Sequence, residues 1–216
     1  MKTSDRLIVL HFTKLGDNSI VLHCLCRNLG RRGLVCRIRK GGSTALYMPL
    51  SIIDAEIAEN PKSNLWQLSG ASGSLTLNSI RTDLYKNAIA LFMSEVLYRT
   101  VHEDAYEQGL FEWCEKSIAT LEELPSGCSN FHLRWLMELC SAMGFHPGLQ
   151  DVAPFAGEQL PNLQKLMELP LEECLIYPMN GKDRSECAAA LLKYLSSHIG
   201  NNLNIKSLAV LQELFR

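Results

Sequence analysis

Long apolar runs are missing from this 216-residue chain, and so are the short signatures of the commonest reactive sites. No stretch approaches the roughly 18 consecutive apolar residues of a membrane span, so no spanning helix is expected. The apolar run that follows Arg6 is too short for the core of a secretion signal, which makes a cytoplasmic protein the expectation. The eight cysteines contain no Cys-x-x-Cys spacing, and no second histidine follows His102-Glu103 at the interval of a zinc-peptidase helix. Around His23, Cys24 and Cys26 share one strand face, whereas a structural zinc needs four converging ligands. No metal and no cofactor are therefore expected, and buried free thiols are the reading for the cysteines. The glycine-rich places, Gly41 to Thr44 and Gly70 to Ser74, lack the spacing of a phosphate loop, and the second misses a nucleophile elbow by one residue. The carboxylate pairs Glu122-Glu123 and Glu172-Glu173 fall at or near helix ends, so no acid–base pair has local support and no enzyme is read here.

A further scarcity is local. Between Arg27 and Lys40 there is no acidic residue, but there are six cations: Arg27, Arg31, Arg32, Arg37, Arg39 and Lys40. The net charge of −2 for the whole chain conceals this segregation: residues 1–80 hold ten basic and five acidic side chains, residues 81–216 eleven and eighteen. Such asymmetry suggests two units with different partners. Gly30-Arg-Arg-Gly33 suits a turn, and from Leu34 the alternation of Leu34, Cys36 and Ile38 with Val35, Arg37 and Arg39 has the period of a half-buried strand. A basic hairpin of this kind fits an anionic polymer, with Lys14 and Lys62 as weaker contributors. The other reading is a solvated edge that resists strand-to-strand aggregation.

Strands are expected at Leu7 to Phe12, Ser19 to Cys26, from Leu34, within Ala45 to Ala58, and at Leu65 to Leu68. Five short strands without a helical period suggest a five-stranded Greek-key barrel of the OB type. After Asn78 the period changes to that of helices, near Thr82 to His102, Gly109 to Leu124, a third capped by Ser129 or Asn130, Ser185 to Ile199 and Ile205 to Phe215. His146 to Pro161 reads as an irregular connection, because three prolines and two glycines interrupt it. The expected fold is α+β: an OB-fold domain over residues 1–78, then an all-helical domain over residues 79–216.

The chain holds sixteen aromatic residues. Phe12, Tyr47 and Trp66 could stack on bases or fill the core. Phe131, Trp135, Leu136 and Leu139 surround Arg134, which suits either an apolar partner residue bearing a carboxylate or the rim of an ordinary core helix.

Together these parts resemble the RecO family of recombination mediators in its short, Bacteroides-type form. The resemblance rests on Ile8 to His11 with Asp17 to Val21, Gly30-Arg31 with Arg37 to Lys40, and Pro49-Leu50. It continues through Ile80 to Arg99, Asn130 to Leu133, Met143 to Pro147, Leu191 to His198 and Lys206 to Leu208. It implies an OB-fold, a helical domain and a non-catalytic role in recombinational repair. It also implies binding of single- and double-stranded DNA, strand annealing, and action with RecR to load RecA onto SSB-coated strands. Arg134 falls where the family has the arginine that takes the SSB C-terminal tail, with Phe131 and Trp135 beside it. Two departures stand out. Pro147 to Pro161 has no cysteine where some members carry a zinc module, and Gly41-Gly-Ser43 replaces a longer basic loop. The alternative is a helical interaction scaffold with a small β-barrel and no direct contact with nucleic acid.

Overall fold

The computed structural model describes residues 2–38, 44–125 and 128–215. By contacts the chain divides into two compact units, Met1–Asn78 with Ser94–Ile118, and Ser79–Met93 with Ala119–Arg216. The first unit is built on strands β1 (Lys2–Lys14), β2 (Ser19–Cys26), β3 (Gly30–Arg37), β4 (Ile52–Ala58) and β5 (Trp66–Gly73). They close into a barrel in the order β1-β2-β3-β5-β4, with β3 and β5 parallel and the other pairs antiparallel. This is the five-stranded OB-type barrel the sequence suggested.

β1 closes the ring by serving two neighbours. Its first half pairs with β4, from Lys2↔Ala58 to Ile8↔Ile52, and its second half with β2, from Leu7↔Cys26 to Lys14↔Ile20. A bulge between Val9 and His11 re-aims the strand within the stretch that pairs with β2. Leu7, Val9, Ile20, Leu22, Leu34 and Ile53 fill the barrel with the thiols of Cys24, Cys26 and Cys36. Ile8 and Leu10 point the other way yet are also buried. The outer face of β1 is covered, with Ser94 donating its hydroxyl to the Leu10 carbonyl.

The β2–β3 turn closes earlier than expected. Arg27 to Leu29 form it, and Gly30 already begins β3 opposite Cys26. The buried carboxylate of Asp5 explains the shift: it accepts the Asn28 backbone N–H at 3.1 Å and the Asn28 amide at 2.8 Å. Ala45 to Tyr47 form a single 3-10 turn in place of the first part of the expected fourth strand, which starts only at Ile52. The last strand runs past Leu68 to Gly73.

The helices are α1 (Asn78–Thr82), α2 (Leu84–Thr100), α3 (Leu110–Glu123), α4 (Phe131–Ala142), α5 (Leu149–Ala156), α6 (Leu160–Glu168), α7 (Leu171–Ile176), α8 (Gly181–Ile199) and α9 (Ser207–Leu214). The contact division falls within α2 and α3. The expected irregular connection from His146 to Pro161 is in fact largely helical. Pro161 sits in the first turn of α6, where no N–H is needed, and Pro154 lies near the end of α5, so neither proline stops its helix. α8 is the centre of the second unit, packed against α4, α5, α6 and α9. Asn180 caps it by accepting the Asp183 N–H at 2.8 Å, and Gly200, in the left-handed region, ends it.

Two buried cations tie this unit together. The Lys86 ammonium donates to Ser79 Oγ at 2.6 Å and to the carbonyls of Glu122 and Leu124, partnering acceptors at the free end of α3. Arg184 donates to Asn130 Oδ1 at 2.9 Å, Phe215 O at 3.0 Å and Met179 O at 2.8 Å. Asn130 makes no side-chain cap to α4; its amide reaches the carbonyls of Cys174 and Tyr177 instead. His132, fully buried, stacks on Phe215 and meets Phe92 edge-on.

Two outcomes follow from this packing. Gly30 has φ +69, and a Cβ there would run into the Ala105 carbonyl. Gly30→Ala should therefore cost at least about 2 kcal/mol, the left-handed penalty plus the overlap, read as a lowered denaturant midpoint at constant m-value. Burial, aided by Arg184, lowers the His132 pKa to about 3 from its ordinary 6.5. Its folded pKa lies below the unfolded one, so the unfolded chain takes the proton first. Stability from this group is present above pH ~6.5 and is lost toward pH ~3 at about 1 kcal/mol per unit. The slope between pH 6.5 and 5 should be shallower in His132→Phe than in the parent, and an unchanged slope would remove His132 from the account.

Candidate nucleic-acid interface

β3 carries the basic stretch, and its alternation decides what each cation can do. Leu34 and Cys36 face the core and Arg37 is exposed, as the period-two pattern anticipated. Arg37 lies opposite Ser19 on β2, while Lys14 pairs with Ile20, which in turn pairs with Cys36. Lys14 and Arg37 thus stand at the same end of the barrel, on neighbouring registers of three adjacent strands. Both are exposed, as is Lys62, and among the described residues none of the three has a carboxylate within ion-pair distance. Arg39 and Lys40 lie outside the described residues, as do the glycines that follow.

The other three arginines are engaged within their own unit. Arg27 Nε donates to Glu112 Oε1 at 3.0 Å. Arg31 is partly buried: its Nη1 donates to the carbonyls of Tyr98 and Val101, and its guanidinium carbon sits 4.5 Å from the centroid of the Tyr98 ring. Burial lowers the Arg31 pKa from its ordinary value, opposed by Tyr98 and Glu103. Arg32 pairs with Asp104 and lies 5.3 Å from the centroid of the Trp66 ring, with Lys62 and Asn64 lining the same cleft of about 540 Å³. The β4–β5 connection bearing Lys62 enters β5 at Trp66, opposite Leu34, so Lys62 belongs to the other end of β3 from Arg37. The structure therefore does not gather the predicted cations into one patch. It leaves Lys14 and Arg37 at one rim, Lys62 at the other, and turns Arg27, Arg31 and Arg32 toward residues 98–112.

The partners of those arginines went unread in the sequence, though a signal was there. Glu103 to Glu115 holds five carboxylates and no Lys or Arg, the counterpart in sign of the basic stretch. Backbone pairing reinforces the match: Arg31 N–H donates to Ala105 O at 3.1 Å and Asp104 N–H to Arg31 O at 3.0 Å. His23, beside Arg31 and Tyr98, has its pKa lowered by burial first and by the Arg31 and His11 charges next. Of the candidate stacking rings, Phe12, Tyr47 and Trp66 are all only partly buried and pack against the barrel core.

In the helical unit, Arg134 lines a cleft of about 180 Å³ with Met137, Glu138, Ser141, Pro147 and Met167. Its Nε donates to Glu138 Oε1 at 2.7 Å and its Nη1 to Leu169 O at 2.9 Å. Phe131 and Trp135 do not share this cleft. They are buried, 4% and 2% exposed, and Trp135 meets Phe92 edge-on. Helical spacing accounts for Trp135, which as the next residue turns about 100° away from Arg134 and into the core; Phe131, three residues earlier, is buried at the first position of α4.

Comparison with known proteins identifies relatives along the whole chain. The family model described as "Recombination protein O C terminal" matches residues 81–153, which include all of α2, α3 and α4. A protein of Phocaeicola vulgatus named DNA repair protein RecO is 32% identical, covering 96% of this chain and 97% of its own. One of Bacteroides fragilis with the same name is 30% identical with the same coverage, and one of Flavobacterium psychrophilum is 24% identical over the full length of both chains. A closed OB-type barrel, a helical unit and end-to-end similarity at these identities agree, and the chain belongs to the RecO family.

Proposed function

We propose that this chain is a non-catalytic, DNA-binding recombination mediator. In this reading it binds single- and double-stranded DNA, promotes annealing of complementary strands and acts with RecR in loading RecA onto SSB-coated strands. Residues 1–78 form the DNA-binding domain and residues 79–216 the partner-binding domain. The observation that carries the reading is Arg37, outward on β3 of an OB-type barrel, free of any carboxylate among the described residues and followed two and three positions on in sequence by Arg39 and Lys40. Lys14 at the same rim adds a fourth cation. The full-length relatives carry the name DNA repair protein, which fits a cytoplasmic, nucleoid-associated role. Among the described residues no helix is long and apolar enough to cross a membrane.

Such a surface acts by neutralising phosphates, so affinity comes from released counterions and is nearly blind to sequence. With about four to six phosphates met, the log–log salt slope on single strands should be roughly −3 to −4. Replacing Lys14 and Arg37 by alanine should reduce its magnitude by about 1.4, at about 0.7 per contact. Fluorescence anisotropy across a salt series measures it, and a slope that does not change takes this rim out of the interface. No binding at any salt would favour the scaffold reading, which the engagement of Arg27, Arg31 and Arg32 supports.

The Arg134 cleft is read as the seat of the SSB tail, its guanidinium meeting the terminal carboxylate and Met137, Met167 and Pro147 its apolar side chain, with Phe131 and Trp135 backing the helix from the core. Arg134→Ala should weaken binding of a tail peptide at least tenfold by calorimetry while leaving naked-DNA affinity alone. A parallel loss of both would overturn the two-site picture.

A further inference from the structure

The geometry points to an internal polyanion: the acidic segment Glu103 to Glu115 occupies the basic β2–β3 turn and screens it from DNA, confining the DNA-binding surface to the Lys14 and Arg37 rim. This rests on the DNA-binding reading above and narrows its site. Four contacts carry it. Arg27 meets Glu112 at 3.0 Å, Arg6 meets Glu115 at 3.1 Å, Arg32 meets Asp104, and the Arg31 backbone pairs with Asp104 and Ala105. The turn is shaped for this occupant. Gly30 leaves no Cβ where the Ala105 carbonyl lies, so the segment approaches at backbone distance. Arg6, next to the turn through the hydrogen bond from Arg27 N–H to its carbonyl, is further held by Asp54 at 2.8 Å.

The acids occupy the positions that phosphates would take. Asp104 is 77% and Glu112 50% exposed in the side chain, so both carboxylates lie in water and the pairs are individually weak. Weak pairs open readily, yet opening them gains little for DNA. An arginine that leaves its carboxylate for a phosphate gives up its ion pair and sets the abandoned negative charge beside the DNA, so an arginine that stays with its carboxylate releases no cation from the DNA. Cations without such partners, Lys14 and Arg37, keep the full gain.

The test is the salt slope of the full chain on labelled oligothymidine, with Asp104→Asn and Glu112→Gln combined. Asp104 has φ +65, a conformation asparagine adopts readily, so the substitution removes charge without straining the backbone. The double variant should bind more tightly, roughly tenfold at 0.1 M salt, with the slope steeper by about 1.4 for two freed arginines. Glu172→Gln with Glu173→Gln, which removes the same net charge from α7, should leave the slope unchanged. Should Asp104→Asn/Glu112→Gln lose its thermal transition, Glu112→Gln alone, from an exposed pair, should show about half the steepening. If the parent binds DNA and both the double and single variants match it, the screening is refuted and the DNA-binding reading stands. An equal gain in the α7 control reduces the effect to net charge and also refutes it. If neither parent nor variants bind, the DNA-binding reading falls and the inference with it.

Discussion

Barrel closure by β1 is the constraint on which the first unit depends. A 13-residue strand is long enough to pair with β4 through one half and β2 through the other, so no edge of the sheet is left open. Closure puts Leu7, Val9, Leu22 and Leu34 in one interior and sets the register that follows from it. Register then fixes the chemistry. Because β2 and β3 pair from Ser19↔Arg37 to Cys26↔Gly30, Arg37 stands at the opposite end of the strand from the turn that holds Arg27. A one-residue slip of β3 would turn Leu34 and Cys36 out of the interior and Arg37 into it, which the filled interior does not permit.

The same economy governs buried charge in the helical unit. Lys86 and Arg184 are cations taken out of water, and each is satisfied mainly by carbonyl oxygens and neutral amide or hydroxyl groups. A carbonyl at a helix end has an unfilled acceptor, so a buried ammonium or guanidinium meets a need the helix already has. Asn130 links this arrangement to the end of α7 through the carbonyls of Cys174 and Tyr177. Arg134, by contrast, is partly exposed and lines its cleft paired with Glu138.

The barrel unit treats charge differently. Its Arg6, Arg27 and Arg32 face carboxylates among its own residues 103–115, and exposed pairs of this kind add little stability. Their effect is on recognition: they decide which arginines a polyanion meets without competition. Arg31 is the exception, drawn under Tyr98 and held by carbonyls, and so is part of the packing.

Much of this was legible beforehand. The alternation from Leu34 to Arg37, the count of strands, the change of period after Asn78 and the basic stretch are local properties, written in neighbouring residues, and the structure follows them. The helices within His146 to Pro161 were not, because a proline in a first turn or near a last one looks in sequence like a proline that breaks a helix. Nor could the sequence separate Arg37 from Arg27, Arg31 and Arg32, since all carry the same charge within one short stretch. Only the tertiary structure decided that, by bringing Asp104 and Glu112 against the turn from more than seventy residues away in the chain. Charge is a property of a residue, but whether that charge is free depends on what the fold places beside it.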